Sequence, residues 1–465
     1  MEERKAKGIR PAGGDMISKL PDALISQILM YLPTKEAVRT SVLSSRWKSL
    51  WLLISELDLD SFEFPDYNAF ASFIDKFLAF SREEESCVHK LKLLIMKRKR
   101  DQACVRRWID FVATRRVKHL DVGYRYVSRK RFEVVPMSLF ICETLLSLRL
   151  NRVLIGSFES VSLPRLKTLC LDNNAYANDT GLESLISSCP VLEDLSIFRR
   201  LDDNVKVLRV HSQTITSLKL GFDRGGDHGF FVFDWDSLWL FVDAPRLKYL
   251  TFEQELAPNK VISNLGSLVK VCFVDIVRIT YSFKDFNLSE LQMVRNFFNG
   301  VSRVREMVIS QDMMEIMFHY MELETFPQFC NLSCLEAKVC LRRVKLLEIL
   351  PTLLESFPSL KSIVLDVTHN MDDTPPITVS FVPHCLLSSL EFVEIKSRYE
   401  AEFVLMELAR YFAENSVILK KLVMSWERSK LKEDDVLRDL LALSWRSSTC
   451  QIEVSGPHKR LVGAS

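Results

Sequence analysis

Eleven cysteines and eight histidines are the residues of this chain best suited to nucleophilic or metal chemistry. Their spacing withholds it. The cysteines are scattered from Cys87 to Cys450 without a Cys-x-x-Cys pair, and the tightest group, Cys330, Cys334 and Cys340, fits no common zinc-ligand pattern. Cys189, in SSCPVLEDL, could be read as a nucleophile. Its place just ahead of an apolar strand-like run makes a buried structural thiol the expected role. His89 and His119 lie inside short apolar-alternating segments and are expected to be partly buried and structural. No Walker loop, GxGxxG, GxSxG or HExxH occurs. No catalytic residue, no metal site and no cofactor is therefore expected.

What remains is a chain built to bury and to bind. Its 465 residues are 48% hydrophobic and 26% charged, enough for a large core. The formal charge is +2, from 62 Lys+Arg against 60 Asp+Glu, so no overall field calls for nucleic acid or a membrane as partner. An odd, scattered set of cysteines reads as reduced thiols held mostly in a core, which points to the nucleus and/or cytoplasm. The opening MEERKAKGIRPAGGD is polar, unlike a signal peptide. No apolar run approaches the ~18 residues of a membrane span. The KRKR cluster at 97–100 reads either as a solvated loop between repeats or as a nuclear-import signal.

Elements that could position a binding surface begin at residue 20. In LPDALISQILMYLPTKEAV, Pro21 suits the first turn of a helix and Asp22 its positive end. Leu24, Ile28 and Leu32 recur at i, i+4, i+8, with Ile25 and Leu29 widening the stripe. Pro33 ends this helix, and Thr34 is the expected cap of a second. Ser44 or Ser45 is expected to cap a third, carrying Trp47, Leu50, Trp51 and Ile54. Three short helices in about forty residues have little core of their own. The segment DMISKLPDALISQILMYLPTKEAVRTSVLSSRWKSLW resembles an F-box of the plant type, through Leu20-Pro21, Ile28-Leu29, LPTKEAV and SVLSSRWKSLW. The resemblance implies docking on a Skp-type adaptor and, through it, to cullin and RING subunits of a ubiquitin ligase. It implies that Leu20, Pro21, Leu24, Ile28 and Leu29 pack on the adaptor. Val38, Ser41, Val42, Leu43, Arg46 and Trp47 would complete the contact or support it.

From residue 50 onward one pattern recurs: apolar, two others, apolar, one other, apolar. ISELDL (54–59), VHKLKL (88–93), VKHLDV (117–122), LLSLRL (145–150), LKTLCL (166–171), LEDLSI (192–197), ITSLKL (215–220) and LKYLTF (247–252) are clear copies. LVKVCF (268–273), VREMVI (304–309) and LSCLEA (332–337) are weaker, followed by LKSIVL (360–365), LEFVEI (390–395) and LKKLVM (419–424). A period of roughly 20–30 residues is the signature of leucine-rich repeats. Each unit is a short strand that cannot bury its apolar side alone, and stacking supplies a continuous core. Prolines in LPRL, CPVL, APRL and FPSL mark the approach to strands, and DTGLESLISSCP reads as a helix capped by Asp179 or Thr180. The copies lack the fixed Asn/Cys position of regular repeats, so long excursions are expected at 221–245 and 274–303, with GFDRGGDHGF (221–230) the most polar break.

Finally, SSLEFVEI, the helix EAEFVLMELARYFAENS, LKKLVM, a helix at 433–444 and STCQIEV are similar to the FBD domain of plant F-box proteins. The expected fold is α/β: a three-helix F-box, then an irregular leucine-rich-repeat solenoid, closed by an FBD domain. The expected boundaries are 1–14 for a disordered leader, 15–55 for the F-box, 56–379 for the repeats, 380–455 for the FBD domain and 456–465 for a tail. The resemblance implies a non-catalytic receptor that recruits an unknown target protein for ubiquitination. The alternative is a repeat scaffold that does not engage a ligase.

Overall fold

A computed structural model describes residues 17, 19–83, 88–96, 104–125, 132–156, 161–200, 203, 205–223, 239–253, 265–274, 288–341, 344–368, 381–397, 402–427 and 432–456. The KRKR cluster at 97–100, Cys87 and the polar break from 224 onward lie outside these residues. The chain divides into two compact units, Met1–Leu166 and Lys167–Ser465. No helix among the described residues is long and apolar enough to cross a membrane.

The first unit opens with helices α1 (Asp22–Met30), α2 (Thr34–Arg39) and α3 (Trp47–Leu50). Strands β1 (Glu56–Asp60), β2 (Lys90–Ile95), β3 (His119–Tyr124) and β4 (Ser147–Asn151) follow. They pair in parallel and in chain order. Between them run α4 (Tyr67–Glu83) and α5 (Val105–Thr114). The register stacks Leu57, Leu91, Leu120 and Leu148 in one buried row, and Leu59, Leu93, Val122 and Leu150 in a second. Between α4 and α5, Asp75 accepts from Trp108 Nε1 at 2.8 Å and from Arg107 Nη2 at 2.6 Å. The carboxylate holds the Arg107 guanidinium above its ordinary value.

The second unit repeats the same step eleven times among the described residues. Its strands are β5 (Thr168–Asp172), β6 (Asp194–Arg200), β7 (Ser217–Asp223), β8 (Tyr249–Glu253), β9 (Lys270–Val274) and β10 (Glu306–Ile309). Then come β11 (Cys334–Cys340), β12 (Ser362–Thr368), β13 (Phe392–Ser397), β14 (Lys421–Trp426) and β15 (Gln451–Ser455). One buried row runs Leu169, Leu195, Leu218, Leu250, Val271, Met307, Leu335, Ile363, Val393 and Leu422. Ile452 ends it half-buried. Every motif quoted above as a repeat copy is a strand of one ladder or the other. The C-terminal region terminates the ladder by adding strands of its own.

Two local devices recur at the start of these strands. The first is a carbonyl that accepts two successive N–H groups from the next repeat. Lys167 O takes Glu193 N (2.9 Å) and Asp194 N (3.0 Å), Glu193 O takes Thr216 N (2.8 Å) and Ser217 N (3.1 Å), and the pattern continues to Glu391 O. The second is a tight turn closed by a buried leucine. Leu166 N donates to Leu163 O, Leu192 N to Cys189 O, Leu247 N to Ala244 O and Leu360 N to Phe357 O, all at 3.0–3.2 Å. The proline of LPRL, CPVL, APRL and FPSL sits second in the turn, where its fixed φ fits. Beneath β8–β12 the core is aromatic: Phe252 stacks on Phe273 at 5.4 Å, edge contacts lead through Phe297 and Phe298 to Phe326, Phe326 stacks on Phe329, and an edge contact reaches Phe357.

Several expectations are corrected. Trp239–Asp243, inside the expected excursion at 221–245, is a strand pairing in parallel with Val207–His211. The stretch at 274–303 holds the helix Leu288–Val301, whose Val294, Phe297, Phe298 and Val301 face the core at i, i+3, i+4, i+7. Helix Asp179–Ser187 is capped by Asn178, whose side chain accepts from Gly181 N at 2.8 Å. Asp179 is its first helical residue. His119 is exposed on the open side of β3, whereas His89 is half-buried.

If stacking carries the stability, its cost depends on position. Leu195→Ala, in the middle of the buried row, is expected to cost about 2–4 kcal/mol. Ile452→Ala, on the last strand, should cost less than half as much. Denaturant unfolding of the two variants checks this, and equal losses would mean that β15 is packed as tightly as β6.

Candidate functional site

The three front helices owe their positions to two Leu-Pro steps. Pro21 precedes α1 with extended backbone (φ −57°, ψ 148°), and its carbonyl accepts from Leu24 N and Ile25 N. Pro33 does the same for α2 (φ −50°, ψ 141°), accepting from Glu36 N and Ala37 N. The second proline thus starts a helix as well as following one. Thr34 is not the cap expected of it. It lies buried in the first turn, and its hydroxyl accepts from Asp58 N of β1 at 3.0 Å. No serine side chain caps α3. Ser44 O and Ser45 O accept from Trp47 N and Lys48 N, and Arg46 occupies the capping position.

Arg46 joins the two ends of the unit. Its Nε donates to Asp22 Oδ1 at 2.9 Å, and its Nη2 donates to the same carboxylate and to Leu20 O. The guanidinium therefore fixes where α1 begins relative to α3. Asp22 is exposed and Arg46 half-buried, so the ion pair adds specificity of geometry more than stability.

The apolar residues divide into two sets. Ile25, Leu29, Ala37, Trp47, Leu50 and Ile54 are buried within the unit. Trp51 continues inward, stacking on Phe73 of α4 at 5.2 Å and 15°. Leu24 and Ile28 point the other way and are each 45% exposed, followed by Tyr31 at 90% and Leu32 at 40%. Val42 at 86% and Leu43 at 65% lie on the turn after α2. Helix α1 is thus apolar on two faces, only one of which is covered. Of the 23 large hydrophobic side chains exposed among the described residues, nine fall between Ile17 and Leu53. That density makes this face the candidate interaction surface, since scattered single residues are the ordinary case.

The residues singled out from sequence separate along this line. Leu24, Ile28, Val42 and Leu43 are exposed, as is Pro21. Leu20, Val38, Ser41 and Arg46 are half-buried. Leu29 and Trp47 are buried and serve the unit's own core. Sequence reading placed Ile25 and Leu29 on the same stripe as Leu24; in α1 they lie about 100° round the helix from Leu24 and Ile28, on the side that is covered. It also passed over Tyr31, whose place at the helix end gives no periodic signal.

Elsewhere the titratable groups are tied to burial. Burial pushes the thiols of Cys189 and Cys385 up to about 12, and that of Cys450 up to about 11. Cys189 Sγ donates to Leu185 O at 3.1 Å. It is a structural thiol. Cys330 and Cys334 are exposed, contrary to the expectation of a core role. Among the described residues no group of His, Cys, Asp or Glu is arranged to hold a metal ion.

Three known families match parts of the chain. The F-box domain family matches residues 17–56, and the FBD family matches 378–424. The repeat family described as "FBD-associated F-box protein At5g56370, LRR repeats" matches 105–365. The Arabidopsis thaliana FBD-associated F-box protein At5g22730 is 54% identical over 447 residues, covering 95% of each chain. FBD-associated F-box protein At5g44490 of the same plant is 52% identical over 464 residues, 97% of this chain and 94% of its own. F-box/FBD/LRR-repeat protein At5g22700 is 44% identical over 452 residues, 95% and 98%. The chain belongs to the plant F-box/FBD/LRR-repeat proteins. Within this family member the two-faced helix α1 is part of the F-box, and the ladder of β5–β12 lies in the repeat region.

Two tests follow from burial alone. Leu29→Ala should lower stability by about 2–4 kcal/mol, whereas Leu24→Ala should stay within about 0.5 kcal/mol. Thermal unfolding of both compares them. Maleimide labelling at pH 8.5 should modify Cys330 and Cys334 while Cys189 and Cys385 stay protonated and protected until the protein is unfolded. Labelling of Cys189 in the folded protein would contradict its burial.

Proposed function

We propose that this F-box protein is the substrate-recognition subunit of a Skp–cullin–F-box ubiquitin ligase. The observation that carries the reading is α1. An apolar helix face is normally covered, yet here Leu24, Ile28 and the neighbouring Tyr31 and Leu32 face solvent. A Skp-type adaptor supplies the missing cover. Leu20, Pro21, Leu24, Ile28, Val42 and Leu43 make the contact. Leu29, Val38, Ser41, Arg46 and Trp47 hold those side chains in place from behind.

In this role the chain performs no bond chemistry. It binds the adaptor with one region and a target with another, and raises the target's effective concentration near a ubiquitin-charged enzyme. The setting is the nucleus and/or cytoplasm, where such thiols stay reduced.

Titration of the purified chain with a plant Skp-type adaptor tests the proposal. The double change Leu24→Ala, Ile28→Ala should weaken binding at least tenfold, about 1.4 kcal/mol, without lowering the unfolding temperature. Unchanged affinity would show that this face does not hold the adaptor. A folded wild-type chain that does not bind at all would leave a repeat scaffold outside the ligase.

A further inference from the structure

Parallel sheets are seldom left open to solvent on one face. In the second unit the side of β10–β15 that turns away from the buried rows carries a pattern of its own. The register places Val308 beside Glu336, Glu336 beside Val364, Val364 beside Glu394, Glu394 beside Val423, and Val423 beside Glu453. Valine and glutamate therefore alternate in one row across six strands. Each of these six side chains is half-buried or exposed.

We propose that this row is the surface that receives the target, and that its occupant is an amphipathic helix bearing lysine or arginine every seventh residue with an apolar residue midway between. The proposal rests on the reading of the chain as a target receptor and gives that target a chemistry.

The spacing selects the helix. Neighbouring strands lie about 4.8 Å apart, so the carboxylates recur every ~9.6 Å. Two turns of helix, seven residues, advance ~10.5 Å on one face, and the intervening turn sets an apolar residue against each valine. An extended chain repeats on one side every ~6.8 Å and meets the row out of step. Charge complementarity selects the basic residues, because the row contains only acids and valines. Glu336 is exposed and forms no salt bridge among the described residues. Glu394 and Glu453 are held by Lys396 at 3.3 Å and Lys421 at 2.6 Å. The Lys421–Glu453 pair is a surface pair of the weak, exchangeable kind, and the Lys396–Glu394 pair is half-buried.

Two residues further along the strands a second row runs Lys338, Asp366, Lys396. It favours acidic residues on that flank of the helix and so sets its rotation. Glu394 and Val423 lie within the FBD match at 378–424. The FBD region then contributes recognition as well as the end of the ladder.

The probe is a labelled helical peptide of three heptads with Lys at the first position and Leu at the fourth of each, read by fluorescence anisotropy against the full chain. The wild type should bind it at least tenfold more tightly than a peptide with Glu in place of Lys. It should also bind it at least tenfold more tightly than one of the same composition with its lysines at every fifth position. Glu336→Lys, Glu394→Lys, Glu453→Lys together should reverse the charge preference. Glu336→Gln alone, which breaks no salt bridge among the described residues, should weaken the Lys peptide severalfold. Absence of binding, equal affinity for the three peptides, or indifference to these substitutions would overturn the proposal. Adaptor affinity measured on the same samples reports separately on the ligase reading: it should be unchanged in the triple variant, and its failure in the wild type would leave the peptide result standing.

Discussion

A parallel strand of four to seven residues cannot bury its own apolar side, and every larger feature of this protein follows from that constraint. Each strand needs a neighbour on either side to complete its hydrogen bonds and a layer beneath to cover its leucines. The chain meets the requirement by repetition. A tight turn closed by leucine sets the approach, a carbonyl accepting two N–H groups fixes the register, and the next leucine falls onto the last. Because each repeat leans on its neighbours, the inserted lengths between strands can vary while the rows stay aligned. The row from Leu169 to Leu422 shows no break across insertions of quite different size.

The front helices meet the same problem with fewer residues. Three short helices yield a core of Ile25, Leu29, Ala37, Trp47 and Leu50, completed by Trp51 against α4. That leaves the second apolar face of α1 in water. Stability comes from one face, and the proposed adaptor contact uses the other. The Arg46 tie to Leu20 and Asp22 keeps the exposed side chains in a fixed arrangement before any partner arrives. Such preorganisation spares a partner the entropy of ordering them.

Much of this was legible in the residues. The spacing of apolar positions located the main-ladder strands, down to weak copies such as VREMVI, because strand burial is a period-two property that survives substitution of Leu by Val, Met or Ile. What escaped were features decided by tertiary partners. Among the described residues Val207–His211 and Trp239–Asp243 pair only with each other. Helix Leu288–Val301 earns its place through Phe297 and Phe298 in an aromatic chain that no single window contains. At the candidate site, the residues were found but not their sides: Leu24 and Leu29 both fit an apolar helix stripe, and only the packing against Trp47 and Leu50 decides which faces inward. Thr34 has the chemistry of a cap and was claimed instead by Asp58 of β1. The open row of valines and glutamates was invisible for a further reason. Its members are about thirty residues apart and become neighbours only through register.

The central claim is that the uncovered face of α1 and the turn after α2 hold an adaptor while the ladder keeps its structure. Hydrogen exchange of the full chain, alone and saturated with a plant Skp-type adaptor, tests it most directly. Slowed exchange confined to residues 20–46, with the amides of β5–β15 unchanged, is the predicted result. Saturated binding that leaves 20–46 unprotected, or that protects the ladder strands in its place, would contradict the account.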